Sequence, residues 1–476
     1  MPSGARNWLT PVAWIAAVTA VLLLIFPVGF PNYDTIYSLL WGREMAHGMS
    51  PDMGAALPPT PHPLAELFGL VATPLGDGAI DLTMVVAYAA LGLVGYLVYR
   101  LGSLWFDRPI GAVAALIVLT RAPYLSNGLR AYVDLPYIAL VLGALVLETR
   151  RPRAGWPVLA LLALAGLLRP EAWLFAGAYW LYLAWRGERM NGELARLAAL
   201  ALAAPILWAI FDWITAGSPT YSFTGTRDTV ETLQRQTGAV DLVLYGPRRL
   251  GEVLQWPGMV GAAGGVVLGL AFLRRPAQIG VAATALALGA FAILACAGLA
   301  IIPRYTMLAA TILAVFVALA LLGWRLLERD YPWRRAWQAF AALVALMFVA
   351  WGPNQYDLLH RVDVDLTNQA RIEDDLNDLA DSGAFDPLCG PISVPNHRAV
   401  PRLAFDLDVR PTRIVSSSEQ SHQPRSGYFL DAASPFIIHN FILDPNDPAR
   451  FERVTVPPGF RPVARNESWV LYRRCG

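Results

Sequence analysis

Residues 8–27 read WLTPVAWIAAVTAVLLLIFP, and Val28-Gly29-Phe30 leads straight on into Pro31-Asn32-Tyr33-Asp34-Thr35-Ile36-Tyr37. This junction decides the fold. A helix needs about 20 apolar residues to cross the hydrocarbon core of a membrane, and Trp8–Pro27 supplies them without a charged side chain. Arg6 flanks the run and no small-residue cleavage site follows it, so it reads as an uncleaved first span and not as a signal peptide. Similar runs recur near residues 88, 115, 140, 163, 177, 205, 265, 290, 313 and 343. The expectation is an all-α polytopic membrane domain of about eleven transmembrane helices.

Composition agrees. Of 476 residues, 56% are hydrophobic and 15% charged, with a mean hydropathy of +0.44, whereas a soluble domain carries about 25% charged residues. The deficit lies in residues 1–351, the expected membrane domain. Residues 352–476 read as a small soluble α/β domain. A net charge of +1 gives no argument for nucleic acid as a partner.

Arginine sets the expected orientation. With the N-terminus cytoplasmic, the inside loops hold Arg100 and Arg108; Arg150, Arg151 and Arg153; Arg186, Arg189 and Arg196; Arg274 and Arg275; and Arg325, Arg329, Arg334 and Arg335. That distribution fits the excess of cations on the cytoplasmic side. An odd span count then puts the C-terminal domain outside the cytoplasmic membrane. There Cys389 and Cys475 are expected to form a disulfide, the competing reading being two free thiols. Cys296 sits in an apolar run and reads as a small core or lipid-facing residue.

Two long outside loops stand out, at about 30–81 and 217–256. In the first, Thr35–His47 reads as an amphipathic helix ended by Gly48 and Pro51, and His62–Pro74 as an apolar stretch too short to span. The second offers an interfacial helix at Asp228–Thr237. In the C-terminal domain Tyr356–Leu379 reads as a polar helix and His397–Phe405 as a short one. Pro391–Val394, Thr412–Ser416, Phe436–Leu443 and Trp469–Arg473 read as strands.

The chain has no Gly-rich phosphate loop, Cys/His zinc spacing or nucleophile elbow. Ionisable residues gather instead at one membrane face, where charge is costly and each one is a functional candidate. Asp34 leaves the first span directly, placed for general-base work; the alternative is the N-cap of a helix starting at Thr35. The surrounding pattern is Asp34-x-x-Tyr37, Trp41-Gly42-Arg43-Glu44-Met45, Gly48, Pro51-Asp52 and Pro61-His62-Pro63-Leu64. Downstream come Leu167-Leu168-Arg169-Pro170-Glu171, Asp212-Trp213 with Gly217-Ser218-Pro219, and Pro303-Arg304-Tyr305.

In order and spacing these motifs, over roughly residues 8–350, resemble the GT-C-fold glycosyltransferases that use polyprenyl-phosphate sugars. That family includes protein mannosyltransferases, aminoarabinose transferases, and actinobacterial envelope mannosyl- and arabinosyltransferases. The resemblance implies a bacterial cell-envelope enzyme of the cytoplasmic membrane. It would take a sugar from a polyprenyl-phosphate donor to an extracytoplasmic glycan, lipid or protein acceptor, with inversion and with Asp34 as base. Several relatives open the loop with paired acids; here Thr35 follows Asp34, so no obligatory metal or other cofactor is expected.

Arg304 is the first candidate for the departing phosphate, since a guanidinium offers planar paired donors; snorkelling at a helix end competes. Arg130 and Arg169 stand behind it. Tyr305 accompanies Arg304. Asp134 is a second carboxylate candidate, or a partner of Arg130 one turn away. Arg169 with Glu171 also reads as a structural ion pair. Tyr37, Glu44 and His62 are further substrate-binding candidates, with packing or capping as their competitors, and Trp41 reads as a sugar-stacking or an interfacial tryptophan. Two rivals remain: a transporter or lipid flippase, which calls for polar residues through the midplane and an inverted repeat, and a non-catalytic receptor or assembly protein.

Overall fold

The computed structural model describes residues 9–185, 190–386, 389–418, 424–442 and 455–475. Arg186, Arg189 and the end of the 436–443 segment lie outside them. The helices, in chain order, are α1 Leu9–Ile25, α2 Tyr33–Ala46, α3 Pro63–Ala72, α4 Gly78–Trp105, α5 Arg108–Leu119, α6 Ala122–Leu129, α7 Asp134–Arg150 and α8 Trp156–Gly166. There follow α9 Glu171–Ala184, α10 Asn191–Ala216, α11 Tyr221–Thr232, α12 Gly238–Phe272, α13 Arg274–Cys296, α14 Met307–Leu322, α15 Arg334–Asp381 and α16 Val400–Asp406. Five strands complete the described chain: β1 Ile392–Val394, β2 Ile414–Ser416, β3 Gly427–Ala432, β4 Arg461–Arg465 and β5 Trp469–Arg474.

Each of the eleven apolar runs falls on a helix. Among the described residues six helices are long and apolar enough to cross a membrane by themselves, and a seventh span arises if α5 and α6, bent by 63°, count as one. α1 and α8 are apolar but shorter.

Two compact units divide the chain. The membrane unit takes residues 1–27, 85–208 and 236–362. Its most enclosed helix is α14, buried from Met307 through Ala320 at nearly every position. Close approach of α12 to α14 depends on Gly265, where a Cβ would stand 1.9 Å from the carbonyl oxygen of Phe316. α12 is broken once, at Gln255, whose φ of +62° and ψ of 169° are non-helical.

The loop unit takes residues 28–84, 209–235 and 363–476, so the first long loop, the first half of the second and the C-terminal domain form one compact body, while residues 236–256, which include the start of α12, belong to the membrane unit. α2 starts two residues earlier than the sequence pattern indicates, because Asn32 is its N-cap and accepts from the backbone N–H groups of Asp34 and Thr35. Its expected two-faced character is also corrected. Thr35 through Gly42 and Glu44 are all buried, since α3 covers one side and α16 packs on another. Gly42 and Gly69 make the crossing with α3, and a Cβ on Gly69 would lie 2.3 Å from the Ser38 carbonyl oxygen.

In the second loop the helix is α11, seven residues earlier than expected. Asp212 fixes its start by accepting from the Ser222 N–H at 2.8 Å and from the Ser222 hydroxyl at 2.7 Å.

The sheet has order β2-β1-β3-β5-β4, with β1 parallel to β2 and β3, and β5 antiparallel to β3 and β4. All six residues of β3 are buried. β3 and β4 escaped the sequence reading. The expected strand at 436–443 is instead a helical turn over its described part, begun by Ser434 and Pro435; proline at a first helical position is favoured because its missing N–H is not needed there. The polar helix expected at 356–379 is the continuation of α15. Cys389 and Cys475 form a disulfide with Cα atoms 5.1 Å apart; Cys296 is a free, exposed thiol.

Gly69→Ala is expected to lower the melting temperature, because the clash is with backbone and costs about 1–3 kcal/mol. Gly225→Ala on α11, where a Cβ meets nothing within 4 Å, serves as the neutral control in a detergent thermal-unfolding assay. Equal melting temperatures would contradict the close crossing.

Candidate functional site

In the loop unit, Asp34 is the second residue of α2 and is half-buried. Asn32 occupies the N-cap, its side-chain oxygen accepting from the Asp34 N–H at 2.8 Å and the Thr35 N–H at 3.4 Å. Tyr33 donates its hydroxyl to the carbonyl oxygen of Leu57 at 3.0 Å, tying the 55–60 segment to the turn that carries Asp34. That segment and α11 border a cleft of about 230 Å³ lined by Thr60, Tyr221, Ser222, Thr226, Asp228 and Thr229 among others.

Tyr37 is fully buried and stacks at an angle between Tyr33 and Trp41. It packs the helix. Trp41 is likewise fully buried and donates its indole N–H to the carbonyl oxygen of Asp52 at 3.0 Å, so it neither stacks on a ligand nor sits at an interface.

Glu44 is 4% exposed, and its two oxygens accept from the Asp52 N–H at 2.6 Å and from Arg410 Nε at 3.2 Å. Asp52 in turn accepts from the Thr412 N–H at 3.0 Å and the Thr412 hydroxyl at 2.5 Å. Glu44 is thus committed to binding the C-terminal domain to the first loop. Arg43 does the same on the next position, donating to the carbonyl oxygens of Phe405 and Ala404 at the C-terminal end of α16, where a cation complements the exposed carbonyls and the helix dipole.

His62 occupies the N-cap position of α3 without a side-chain cap. Its backbone N–H donates to Glu66 Oε1 at 2.8 Å. Glu66 was missed in the sequence. It is fully buried, its other oxygen has no hydrogen-bond partner, and α3 is too short to be counted among the long spans. Burial pushes its carboxyl up to about 8; the His62 N–H opposes that rise and the negative charge of Asp212 adds to it. The signal available in the sequence was a lone acid inside the apolar stretch Pro63–Ala72.

In the membrane unit, the structure brings Asp134, Arg169, Tyr305 and Arg304 together. Arg169 is 6% exposed. It donates to Asp134 Oδ1 and to both oxygens of Glu171, the Nη2–Oε1 pair at 2.6 Å. Its guanidinium lies 4.4 Å from the Tyr305 ring centroid, and Arg304 covers the same ring at 5.5 Å and that of Tyr132 at 5.4 Å. Arg169 is therefore neutralised by two buried carboxylates. Asp134 pairs with Arg169 and not with Arg130, which donates to Ser126 one turn back. Asp134 keeps its second oxygen without a partner. Among the described residues no group of three His, Cys, Asp or Glu side chains comes together that could hold a metal ion.

No family model matches the sequence, and no curated protein matches it. Solved structures do match in fold. ArnT from Cupriavidus metallidurans bound to undecaprenyl phosphate superimposes with a TM-score of 0.57 at 15% identity, over 99% of this chain and 98% of that one. Its apo state gives 0.51 at 14% identity with the same coverage. The Archaeoglobus fulgidus oligosaccharyltransferase tethered to an acceptor peptide gives 0.50 at 12% identity, over 89% of this chain and 69% of that one.

Two outcomes test the geometry. Arg169→Met leaves Asp134 and Glu171 buried without their cation, and is expected to cost about 3–5 kcal/mol, read as a large drop in thermal stability; an unchanged melting point would contradict the buried triad. For Glu66, the folded state holds its proton more tightly than the unfolded chain, so its contribution to stability is present below the ordinary carboxyl range. That contribution is lost as pH rises through about 8. Glu66→Gln is expected to raise the melting temperature relative to wild type at pH 8–9 but not at pH 4; parallel curves would contradict it.

The chain has the GT-C fold, an all-α polytopic membrane domain followed by a small α/β domain.

Proposed function

We propose that this protein is an integral membrane glycosyltransferase that takes a sugar from a polyprenyl-phosphate donor to an acceptor outside the cytoplasmic membrane, with Asp34 as general base. The observation that carries the reading is a carboxylate on the second residue of the helix that follows the first apolar run, within a fold shared over its whole length with an ArnT structure holding undecaprenyl phosphate.

The chemistry asks little else of the protein. A phosphate monoester is already a competent leaving group, so no strong acid is needed. The acceptor hydroxyl gives its proton to the Asp34 carboxylate as its oxygen attacks the anomeric carbon, and the C–O bond to phosphate breaks on the opposite face. One displacement inverts the anomeric centre. The polyprenyl phosphate that departs carries the negative charge, and Arg304 supplies the guanidinium for it. Arg169 does not serve this purpose, because Asp134 and Glu171 occupy it. The cleft beside the 55–60 segment, with its threonine, serine and tyrosine hydroxyls and Asp228, suits a hydroxyl-bearing acceptor. In this reading the loop unit faces outside, where the Cys389–Cys475 disulfide persists.

Asp34→Asn is expected to lower transfer from polyprenyl-phosphate-mannose or polyprenyl-phosphate-arabinose by at least 100-fold while the melting temperature stays near wild type. Near-normal turnover in that variant would remove Asp34 as base and turn attention to Asp134.

A further inference from the structure

The break in α12 holds a polar knot that the proposed chemistry does not use. Arg121, at the 63° bend between α5 and α6, is 6% exposed and belongs to the apolar membrane unit. Its Nη1 donates to Gln255 Oε1 at 2.7 Å, and the indole N–H of Trp351 donates to that same oxygen at 2.9 Å. Two donors on one oxygen fix which end of the Gln255 amide is which. The amide nitrogen, Gln255 Nε2, is therefore a buried donor, and it has no acceptor. Arg121 Nε is buried without an acceptor as well. Phe348 lies under the guanidinium at 5.7 Å, and the Nη2 contact to Thr120 is long, at 3.5 Å.

Three facts make this arrangement costly. A buried cation in a hydrocarbon-spanning body needs a counter-charge, yet among the described residues no carboxylate pairs with Arg121. Two N–H donors on adjacent groups are left unsatisfied, and a buried donor without an acceptor keeps its full desolvation penalty. Gln255 is held at φ +62°, a conformation that a non-glycine residue keeps only when its surroundings enforce it. Arg169 shows how the same unit treats an arginine that is purely structural: it receives two carboxylates. A cation and an amide donor that share a neighbour, lack an acceptor and are kept in place by strain match the chemistry of an oxyanion site.

We propose that Arg121 and Gln255 bind a lipid phosphate, the guanidinium Nε and the amide Nε2 each donating to a phosphate oxygen, with Trp351 fixing the amide. The bend lies in a span of a membrane unit, so the anion arrives on a lipid. Two sources share that chemistry: the phosphate monoester of a polyprenyl carrier and the phosphodiester of a bulk phospholipid. The site stands apart from the assignment of Asp34, because binding is read without turnover.

The test is lipid retention by the full-length protein, purified in detergent, stripped of lipid and titrated with polyprenyl phosphate, polyprenol or phosphatidylglycerol, with bound lipid counted by native mass spectrometry. Wild type is expected to bind a phosphate lipid and not polyprenol, and Arg121→Met to weaken that binding about 10-fold or more. Gln255→Glu is the second variant. It places a carboxylate beside Arg121 at almost no change in shape, so it is expected to fold with an equal or higher melting temperature and still lose the phosphate lipid, which separates loss of the site from loss of the fold. Selective loss of polyprenyl phosphate assigns the site to the carrier, and selective loss of phosphatidylglycerol assigns it to bulk lipid; each supports the phosphate site. Unchanged retention of both lipids in folded Gln255→Glu overturns it and leaves Arg121 as a structural tie across the α12 break.

Discussion

A buried carboxylate needs donors, and in the loop unit that requirement binds the first loop to the end of the chain. Glu44 and Asp52 sit inside the first loop, yet their donors include Arg410 and the backbone and hydroxyl of Thr412. Arg43 repeats the connection in the opposite sense, a first-loop cation on the last carbonyls of α16. Truncating the C-terminal domain would leave two buried acids without their partners. The helix that carries Asp34 is consequently held by residues more than 300 positions away, and the small α/β domain is part of the scaffold of the acidic loop.

The membrane unit meets the same requirement in two ways. Around Arg169 the sequence supplies both signs of charge, and the cluster is satisfied internally apart from one oxygen of Asp134. Around Arg121 it supplies one sign only. That difference separates a cation that holds helices together from one that waits for an anion. It also divides the arginines considered for phosphate. Arg169 is excluded by its partners, while Arg304, stacked on Tyr132 and Tyr305, retains a role at the departing group in the proposed reaction.

The helices were legible because a bilayer imposes a length on an apolar run, and each run predicted a helix; the count of about eleven spans was not, since among the described residues only six helices, or seven with the bent pair, are long and apolar enough to cross alone. The position of Asp34 was legible for the same reason, since it follows from where the first run stops. The true start of its helix was not, because the capping residue Asn32 lies three positions before the expected first residue Thr35. Glu44 and His62 were singled out by position in a motif, and their partners decided otherwise: Arg410 lies 366 residues from Glu44, a pairing no local pattern reports. β3 went unseen because Gly427–Ala432 is a short buried strand whose apolar residues neither alternate nor run on, and Phe436-Ile437-Ile438 was misread because apolar content outweighed the start signal of Ser434 and Pro435. Glu66 and Gln255 are legible only as exceptions, a lone acid in one apolar stretch and a lone amide in another.

The central claim is a single displacement at the anomeric carbon, driven by one carboxylate and released by a phosphate. The stereochemistry of the product tests it most directly. The purified protein would be supplied with a polyprenyl-phosphate sugar of known anomeric configuration and envelope acceptors, and the new glycosidic linkage read by its anomeric proton coupling in NMR. The account predicts inversion in all of the product. Retention of configuration would require a covalent or double-displacement path and would contradict it.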